Sequence, residues 1–250
     1  MTKNNTFTID KIFLFFSILL GCFPILTFRM RSVLTIIWGV FGVYIFFKQN
    51  KKLKYNTEFS IFVIPYLLIL LSLFYSTNIE YGLGMLTKML SFVIFPLVFY
   101  LNRDFFLKKH IYKIFDFFSI SVLILVLFQI GKVFYNYDFI SSSLTLQEIK
   151  SNGFISVTDI AIEKVEQIKL RRFRNYIIEI SNTHTTYQGL WICLTIFYLG
   201  LKSFVSEKKV ITIISVILIA IFILWLYLIS ARMPFLALVV SLILVIIIFS

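Results

Sequence analysis

Charged residues, cysteines and histidines are all scarce in this chain. Asp, Glu, Lys and Arg make up 14% of its 250 residues, whereas 60% are hydrophobic. Soluble domains carry about a quarter charged residues, so this composition excludes an ordinary soluble domain. The two cysteines, Cys22 and Cys193, lie inside apolar runs and have no CxxC partner. They predict buried thiols and argue against a disulfide framework or a metal site.

Motifs for nucleotide or metal chemistry are missing as well. The sequence contains no P-loop, no GxSxG elbow, no HExxH helix and no DxD pair. We therefore predict no metal site and no cofactor. The net charge of +12 would suit a nucleic-acid partner, but the Lys and Arg residues stand in short clusters between apolar runs. That distribution follows the positive-inside bias of membrane proteins, so we predict no nucleic-acid partner.

Long apolar runs dominate what is present. Runs of about 17 residues or more can cross about 30 Å of hydrocarbon. We predict an all-α fold, a polytopic transmembrane helical bundle of about eight spans that forms a single domain over residues 1–250. The predicted spans are residues 12–28, 33–47, 59–75, 83–101, 114–134, 184–201, 210–229 and 234–250. The one long polar segment, residues 135–181, is predicted to be a periplasmic loop.

The orientation follows from the charges of the short loops. The basic loops are residues 48–56, 102–113 and 202–209, and the opposite turns are residues 29–31, 76–82 and 230–233. The three basic loops hold eleven Lys and Arg residues, and the three opposite turns hold three. The positive-inside rule then predicts a cytoplasmic amino terminus and a periplasmic segment 135–181.

Within segment 135–181 the pattern predicts an amphipathic helix. Ser156–Asp159 has the spacing of a capping box at a helix start. Apolar residues follow at helical spacing, at Ile162, Val165 and Ile168. The arginines at 171, 172 and 174 would close the helix, because cations suit a helix carboxyl end. In one interpretation this helix lies on the outer face of the membrane that the chain spans. In the other it is a solvated connector.

Two residues are candidates for ligand binding or catalysis, and each could instead have a purely structural role. Arg232 lies at the mouth of two apolar spans, where a guanidinium is costly and its planar fork matches phosphate oxygens. Alternatively it anchors two helix ends at the interface. His184 could act as a general base. Alternatively it is one polar residue in a helix start capped by Asn182 or Thr183.

Three stretches give the chain a family resemblance. They are Asn78–Leu83 followed by Leu90–Leu97, His184–Tyr187, and Leu228–Pro234. With these stretches the chain resembles the O-antigen ligase and polymerase family of bacterial inner membranes, in particular its Bacteroidetes branch. His184–Tyr187 is similar to that branch's His-Pro-Thr-Tyr motif, with Thr185 in place of the proline.

The resemblance implies transfer of a glycan from undecaprenyl diphosphate to lipid A–core or another lipid-linked acceptor, on the periplasmic side of the inner membrane. It implies that Arg232 binds the donor diphosphate. Beside Arg232 we predict a weaker outer cation cluster formed by Arg171, Arg172 and Arg174. The resemblance also implies that a periplasmic histidine takes the proton of the acceptor hydroxyl. The family carries its catalytic histidine in a second outward loop, and His184 is the candidate for that role within this chain. The family's second outward loop would lie beyond residue 250, so we expect this chain alone to be an incomplete enzyme.

Two other functions stay open. A flippase or other transporter of lipid-linked glycans would need polar residues along its spans, and the spans here offer few apart from Lys88, Asp116 and Gln129. A non-catalytic membrane scaffold would need neither Arg232 nor His184.

The topology can be tested with single cysteines, after Cys22 and Cys193 have been replaced by alanine. We expect a membrane-impermeant thiol reagent on intact cells to label Ser151→Cys but not Asn50→Cys or Ser206→Cys. Labelling of either cytoplasmic position, with Ser151→Cys unlabelled, would reverse the orientation.

Overall fold

The computed structural model describes residues 3–49, 57–156, 160–229 and 232–249. It is 85% helical, and the described residues include no strand, so the all-α prediction is confirmed. The helices cluster into two compact units where the sequence predicts one domain. The first comprises Met1–Gly21 and Phe28–Asp116, and the second comprises Cys22–Thr27 and Phe117–Ser250.

Helix length and composition suit a lipid bilayer. Among the described residues, five segments are long and apolar enough to cross a membrane: Arg29–Lys48, Ile79–Leu101, Lys108–Tyr135, Thr185–Val205 and Lys209–Leu228. Two further apolar helices, Phe59–Tyr75 and Met233–Ile243, are shorter. The helical bundle is thus supported, while the number of about eight spans stays a prediction.

The first unit is built from helices α1 to α5 and the start of α6. These helices are α1 (Lys3–Gly21), α2 (Phe28–Lys48), α3 (Thr57–Ser72), α4 (Ile79–Met89), α5 (Ser91–Leu101) and α6 (Lys108–Tyr135). The predicted span 83–101 is therefore two helices that meet at Leu90.

The turn between α1 and α2 differs from the predicted one. The sequence predicts a turn at residues 29–31, but the chain turns between Gly21 and Phe28, around the short 3-10 helix Phe23–Ile25. Pro24 lies in this 3-10 helix, where its lack of an N–H costs little. The prediction placed the turn at the arginines because they interrupt an apolar run. Arginine is also a good helix former, and Arg29 and Arg31 lie in the first turn of α2.

The core of the first unit is aromatic. Phe13 and Trp38 are fully buried and stacked, with ring centroids 6.1 Å apart. The Trp38 indole N–H donates to Ser17 Oγ at 3.0 Å, so the buried ring leaves no donor unpaired. Asn102, also fully buried, joins α5 to α2 by donating to the carbonyl of Gly42 at 3.0 Å.

Within its described residues, the second unit contains the rest of α6 and six more helices. They are α7 (Tyr137–Ser141), α8 (Leu146–Ser151), α9 (Ile162–Ser181), α10 (Thr185–Val205), α11 (Lys209–Leu228) and α12 (Arg232–Phe249). The predicted loop 135–181 is therefore largely helical, and α10 packs against α9, α11 and α12.

The amphipathic helix exists, but its ends differ from the predicted ones. Of the predicted start at Ser156–Asp159, residues 157–159 lie outside the described part of the chain, and α9 begins at Ile162 without a side-chain cap. The helix does not close at the three arginines. It continues to Ser181 and ends where Asn182 adopts a left-handed conformation with φ 48°. Asparagine tolerates that conformation better than most residues.

Close packing of α2 against α5 predicts a sensitive glycine. A Cβ at Gly42 would lie 2.4 Å from Val98 Cγ1, and Val98 is buried and stiff at χ1. We expect Gly42→Ala to destabilise the protein by about 1–3 kcal/mol, measured as a lower melting temperature in detergent. Gly84→Ala is the matched control, because no atom lies within 4 Å of its Cβ. An equal effect of both substitutions would contradict the packing argument.

Candidate functional site

Segment 135–181 has a small apolar core of its own. Leu144, Ile149, Ile160 and Ile168 are buried together, and Val165 packs against them. The apolar face of α9 therefore covers α8 and its flanking residues.

Helix α8 is fixed at both ends. Thr145 and Glu148 form a reciprocal capping box at its start. At its end Gly153 takes φ +82°, and the Phe154 N–H donates to the Ile149 carbonyl at 3.2 Å. A helix of six residues is too short to be stable alone, so these caps and the core beneath it hold it in place.

A buried arginine ties α9 to the segment in front of it. Arg172 Nε donates to Glu148 Oε1 at 2.7 Å, and Nη2 donates to Glu148 Oε2 at 2.5 Å. The Nη1 and Nη2 groups also donate to the carbonyls of Phe139, Ser142 and Ser143, each at 3.1 Å. We call this arrangement the Arg172 clasp. Because a guanidinium has five N–H donors, Arg172 is saturated by protein partners and has little left for a diphosphate.

The clasp shifts the acidity of its carboxylate. The pKa of Glu148 is lowered from 4.5 to about 2, first because the Arg172 side chain donates hydrogen bonds to it. Burial acts in the opposite direction, and the backbone N–H of Thr145 lowers the pKa further. The same hydrogen bonds raise the pKa of Arg172.

The neighbouring arginines face a different environment. Arg171 and Arg174 line a cleft of about 450 Å³ together with Lys164. The rest of the lining is Asn152, Phe154, Gln167, Ile168 and Leu170. We call this the cationic cleft. An adjoining cavity of about 270 Å³ shares Arg171 and Asn152 with it and also touches Glu148.

One nitrogen of an arginine that lines the cationic cleft lacks a hydrogen-bond partner. Arg174 is half-buried, and its Nε is buried without a hydrogen bond in the described structure. A buried donor without a partner is costly, so a shift of the side chain that brought this nitrogen to an acceptor would be stabilising. With three cationic side chains and no acidic residue in its lining, the cleft suits an anion that offers several oxygens.

His184 is the N-cap of α10. Its Nδ1 accepts a hydrogen bond from the Thr186 N–H at 3.2 Å, and the ring is exposed. The prediction that Asn182 or Thr183 caps this helix is wrong, since Asn182 ends α9 and Thr183 Oγ1 donates to the Ser181 carbonyl. His184 is not among the residues that line the cationic cleft.

Arg232 can be placed only by its backbone. It is the first residue of α12, whereas its side chain and residues 230 and 231 lie outside the described part of the chain. Its predicted contact with a diphosphate therefore stays a prediction. The side chain of Lys88 also lies outside the described part.

A buried polar network was missed by the sequence reasoning. Gln129 Nε2 donates to Gln188 Oε1 at 2.7 Å, and Gln129 Oε1 accepts from Trp225 Nε1 at 3.1 Å. Gln188 Nε2 in turn donates to Ser181 Oγ and to the Thr183 carbonyl, both at 2.7 Å. The network joins α6, α10 and α11 to the turn after α9. The spacing of these residues along the chain carries no signal for such a network.

Helix α9 lies across the ends of these apolar helices. The Phe173 ring packs edge-on against Trp225 near the end of α11, with centroids 6.3 Å apart. The Tyr176 hydroxyl donates to the Lys132 carbonyl near the end of α6 at 3.2 Å. The cationic cleft is therefore held close to the ends of apolar helices.

Comparison with protein-family models, curated proteins and solved structures finds no match for this chain. Within the described residues, no group of three or more His, Cys, Asp or Glu side chains could hold a metal ion. The polar side chains that line the cationic cleft are three cations and two amides.

The pKa of Glu148 predicts how the clasp responds to acid. A lowered pKa means that the clasp stabilises the fold fully above about pH 4.5 and loses that contribution as the pH falls toward 2. We expect a spin label on Ser151→Cys in α8 to be immobile at pH 7 and to become mobile over that range. Glu148→Gln should leave the label mobile already at pH 7, whereas Glu166→Gln on the exposed side of α9 should not. A label that responds equally to both substitutions would contradict this role of the clasp.

Proposed function

We propose that this chain is a membrane glycan transferase of the O-antigen ligase and polymerase type. It binds a glycan linked to undecaprenyl diphosphate through the cationic cleft and passes the glycan to a lipid-linked acceptor. The observation that carries this proposal is the pair Arg171 and Arg174 in the cleft, with the buried and unpartnered Nε of Arg174.

The chemistry of the cleft supports a diphosphate ligand. Guanidinium groups match phosphate oxygens two at a time, and Lys164 adds a third cation. The amides of Asn152 and Gln167 can donate to sugar hydroxyls. The volume of about 450 Å³ lies within the range of about 300–1,000 Å³ that is usual for small-molecule sites. It therefore suits a diphosphate with its first sugar.

The position of α9 supports a lipid-linked donor. Phe173 and Tyr176 hold α9 against the ends of α11 and α6. A polyprenyl chain could stay in the bilayer beside these helices while its diphosphate reaches the cleft. We therefore assign segment 135–181 to the periplasmic side of the inner membrane as part of the proposal, in agreement with the distribution of Lys and Arg in the short loops.

In the proposed reaction an acceptor hydroxyl attacks the anomeric carbon of the donor glycan. The bond from that carbon to the diphosphate oxygen breaks, and undecaprenyl diphosphate leaves with the bonding electrons. Arg171 and Arg174 stabilise the charge on the leaving group. His184 is the candidate acceptor of the hydroxyl proton. Its Nδ1 accepts the Thr186 N–H and is therefore the unprotonated nitrogen, so Nδ1 would have to leave the cap of α10 to take the proton. Arg232 is a second candidate ligand for the diphosphate, on the family resemblance alone.

The transporter alternative has less support. Gln129 is the polar residue of α6 on which a path would depend, and both of its amide atoms are paired, with Gln188 and Trp225. Paired groups of this kind suit a structural link between helices better than a path for a polar solute. A scaffold would have no need for a guanidinium that is half-buried with an unpaired nitrogen.

The proposal predicts that the cleft arginines determine the affinity for a diphosphate lipid. With the full chain in nanodiscs, we expect Arg171→Gln combined with Arg174→Gln to weaken binding of undecaprenyl diphosphate at least about tenfold, since each charged hydrogen bond contributes about 1.5–3 kcal/mol. The lysine pair, Arg171→Lys with Arg174→Lys, should bind with intermediate affinity because the charge remains without the fork.

Lys150→Gln is the matched control, because Lys150 is exposed on α8, outside the lining of the cleft. It removes one positive charge from the same segment and should bind like the unchanged protein. If the double glutamine variant also bound normally, the cleft would not be the diphosphate site. If the lipid bound but no glycan moved to any lipid-linked acceptor, only the transferase part of the proposal would be lost.

A further inference from the structure

The segment that carries the cleft also exposes large apolar side chains. Ile155 is 90% exposed and Ile162 is 81% exposed, although Ile160 between them is buried. Exposed apolar groups that stand close together mark surfaces for a protein or a membrane. Neither isoleucine belongs to the apolar core of this segment.

Both isoleucines lie at the same end of the segment. Phe154, directly before Ile155, packs against the core, and its ring lies 5.2 Å from the Lys164 Nζ. Lys164 follows Ile162 by two residues, so the contact between Phe154 and Lys164 brings the two chain segments together. This end therefore presents two isoleucines beside an exposed lysine.

The axis of α9 runs along the ends of the apolar helices. Phe173 contacts α11, Tyr176 contacts α6, and Ser181 accepts a hydrogen bond from Gln188 of α10. These three contacts span about 12 Å of α9. A helix that pointed away from the bundle would leave these ends within one turn, so α9 runs across the ends of the three apolar helices.

Past Phe173 the helix extends outward. Ile162 lies about 16 Å beyond Phe173 along the axis of α9, at a rise of about 1.5 Å per residue. Eleven residues turn a helix through about 1,100°, so Ile162 points to nearly the same side of α9 as Phe173, the side that faces the end of α11.

We infer that this end of the segment docks on the bilayer surface, with Ile155 and Ile162 inserted among the lipid headgroups and Lys164 directed at lipid phosphates. Isoleucines beside a snorkelling lysine are the side chains that an interfacial helix places at this depth. Of the apolar face recognised in the sequence pattern, Val165 and Ile168 pack inward, whereas Ile162 stays exposed. The inference shares Lys164 with the proposed function, whereas the insertion of Ile155 and Ile162 is independent of that function.

Quenching of a fluorophore tests the inference in the full chain, reconstituted in phosphatidylcholine vesicles with phosphatidylglycerol. Cys22 and Cys193 are replaced by alanine, and one fluorophore is attached to Ile155→Cys, Ile162→Cys or the polar control Ser151→Cys. We expect nitroxide-labelled lipid to quench the fluorophore at positions 155 and 162 about threefold or more above position 151. Aqueous iodide should show the reverse order. Raising the phosphatidylglycerol content should increase the lipid quenching at 162.

Two outcomes would overturn the inference. Quenching by iodide at positions 155 and 162 that equals the quenching at position 151 would mean that the isoleucines face water. Protection of both positions from iodide and from the lipid nitroxide would mean that protein covers them, from a partner or a second copy of this chain.

Discussion

A buried arginine that must satisfy all of its hydrogen-bond donors is the constraint on which segment 135–181 depends. Removing a guanidinium from water is costly unless each N–H finds an acceptor. Arg172 finds them in Glu148 and in the carbonyls of a short stretch after α7. Those carbonyls can converge only if the chain before α8 curls around the arginine, so the clasp determines the path of the whole stretch.

The clasp also explains why the neighbouring arginines are open to a ligand. Glu148 is the nearest acid of α8, and Arg172 occupies both of its oxygens. Arg171 and Arg174 project from other positions around α9 and line the cationic cleft. Because Glu148 is already neutralised, the field in the cleft stays positive. The stability of the segment and its affinity for an anion therefore rest on the same ion pair.

Sequence reasoning was less successful with short helices than with long ones. The apolar stretches within α6, α10 and α11 could be located from the sequence within a few residues. In lipid such a run has to form a helix, because its backbone N–H and C=O groups must find their partners within the segment. Helix α8 was missed, although Thr145 and Glu148 carry the capping-box spacing and Gly153 follows the helix. The same spacing occurs at Ser156–Asp159, and spacing alone does not rank two candidate caps.

The sequence by itself predicted a membrane environment and an all-α fold, because both follow from the hydrophobic content and from the length of the apolar runs. The tertiary structure decided the roles of Arg171, Arg172 and Arg174. In the sequence they form one basic cluster with nothing to separate them. On a helix adjacent residues point about 100° apart, so packing against α8 buries Arg172 and leaves its two neighbours to line the cleft. Which of three equivalent cations becomes structural depends on what packs against the helix, and no local pattern contains that information.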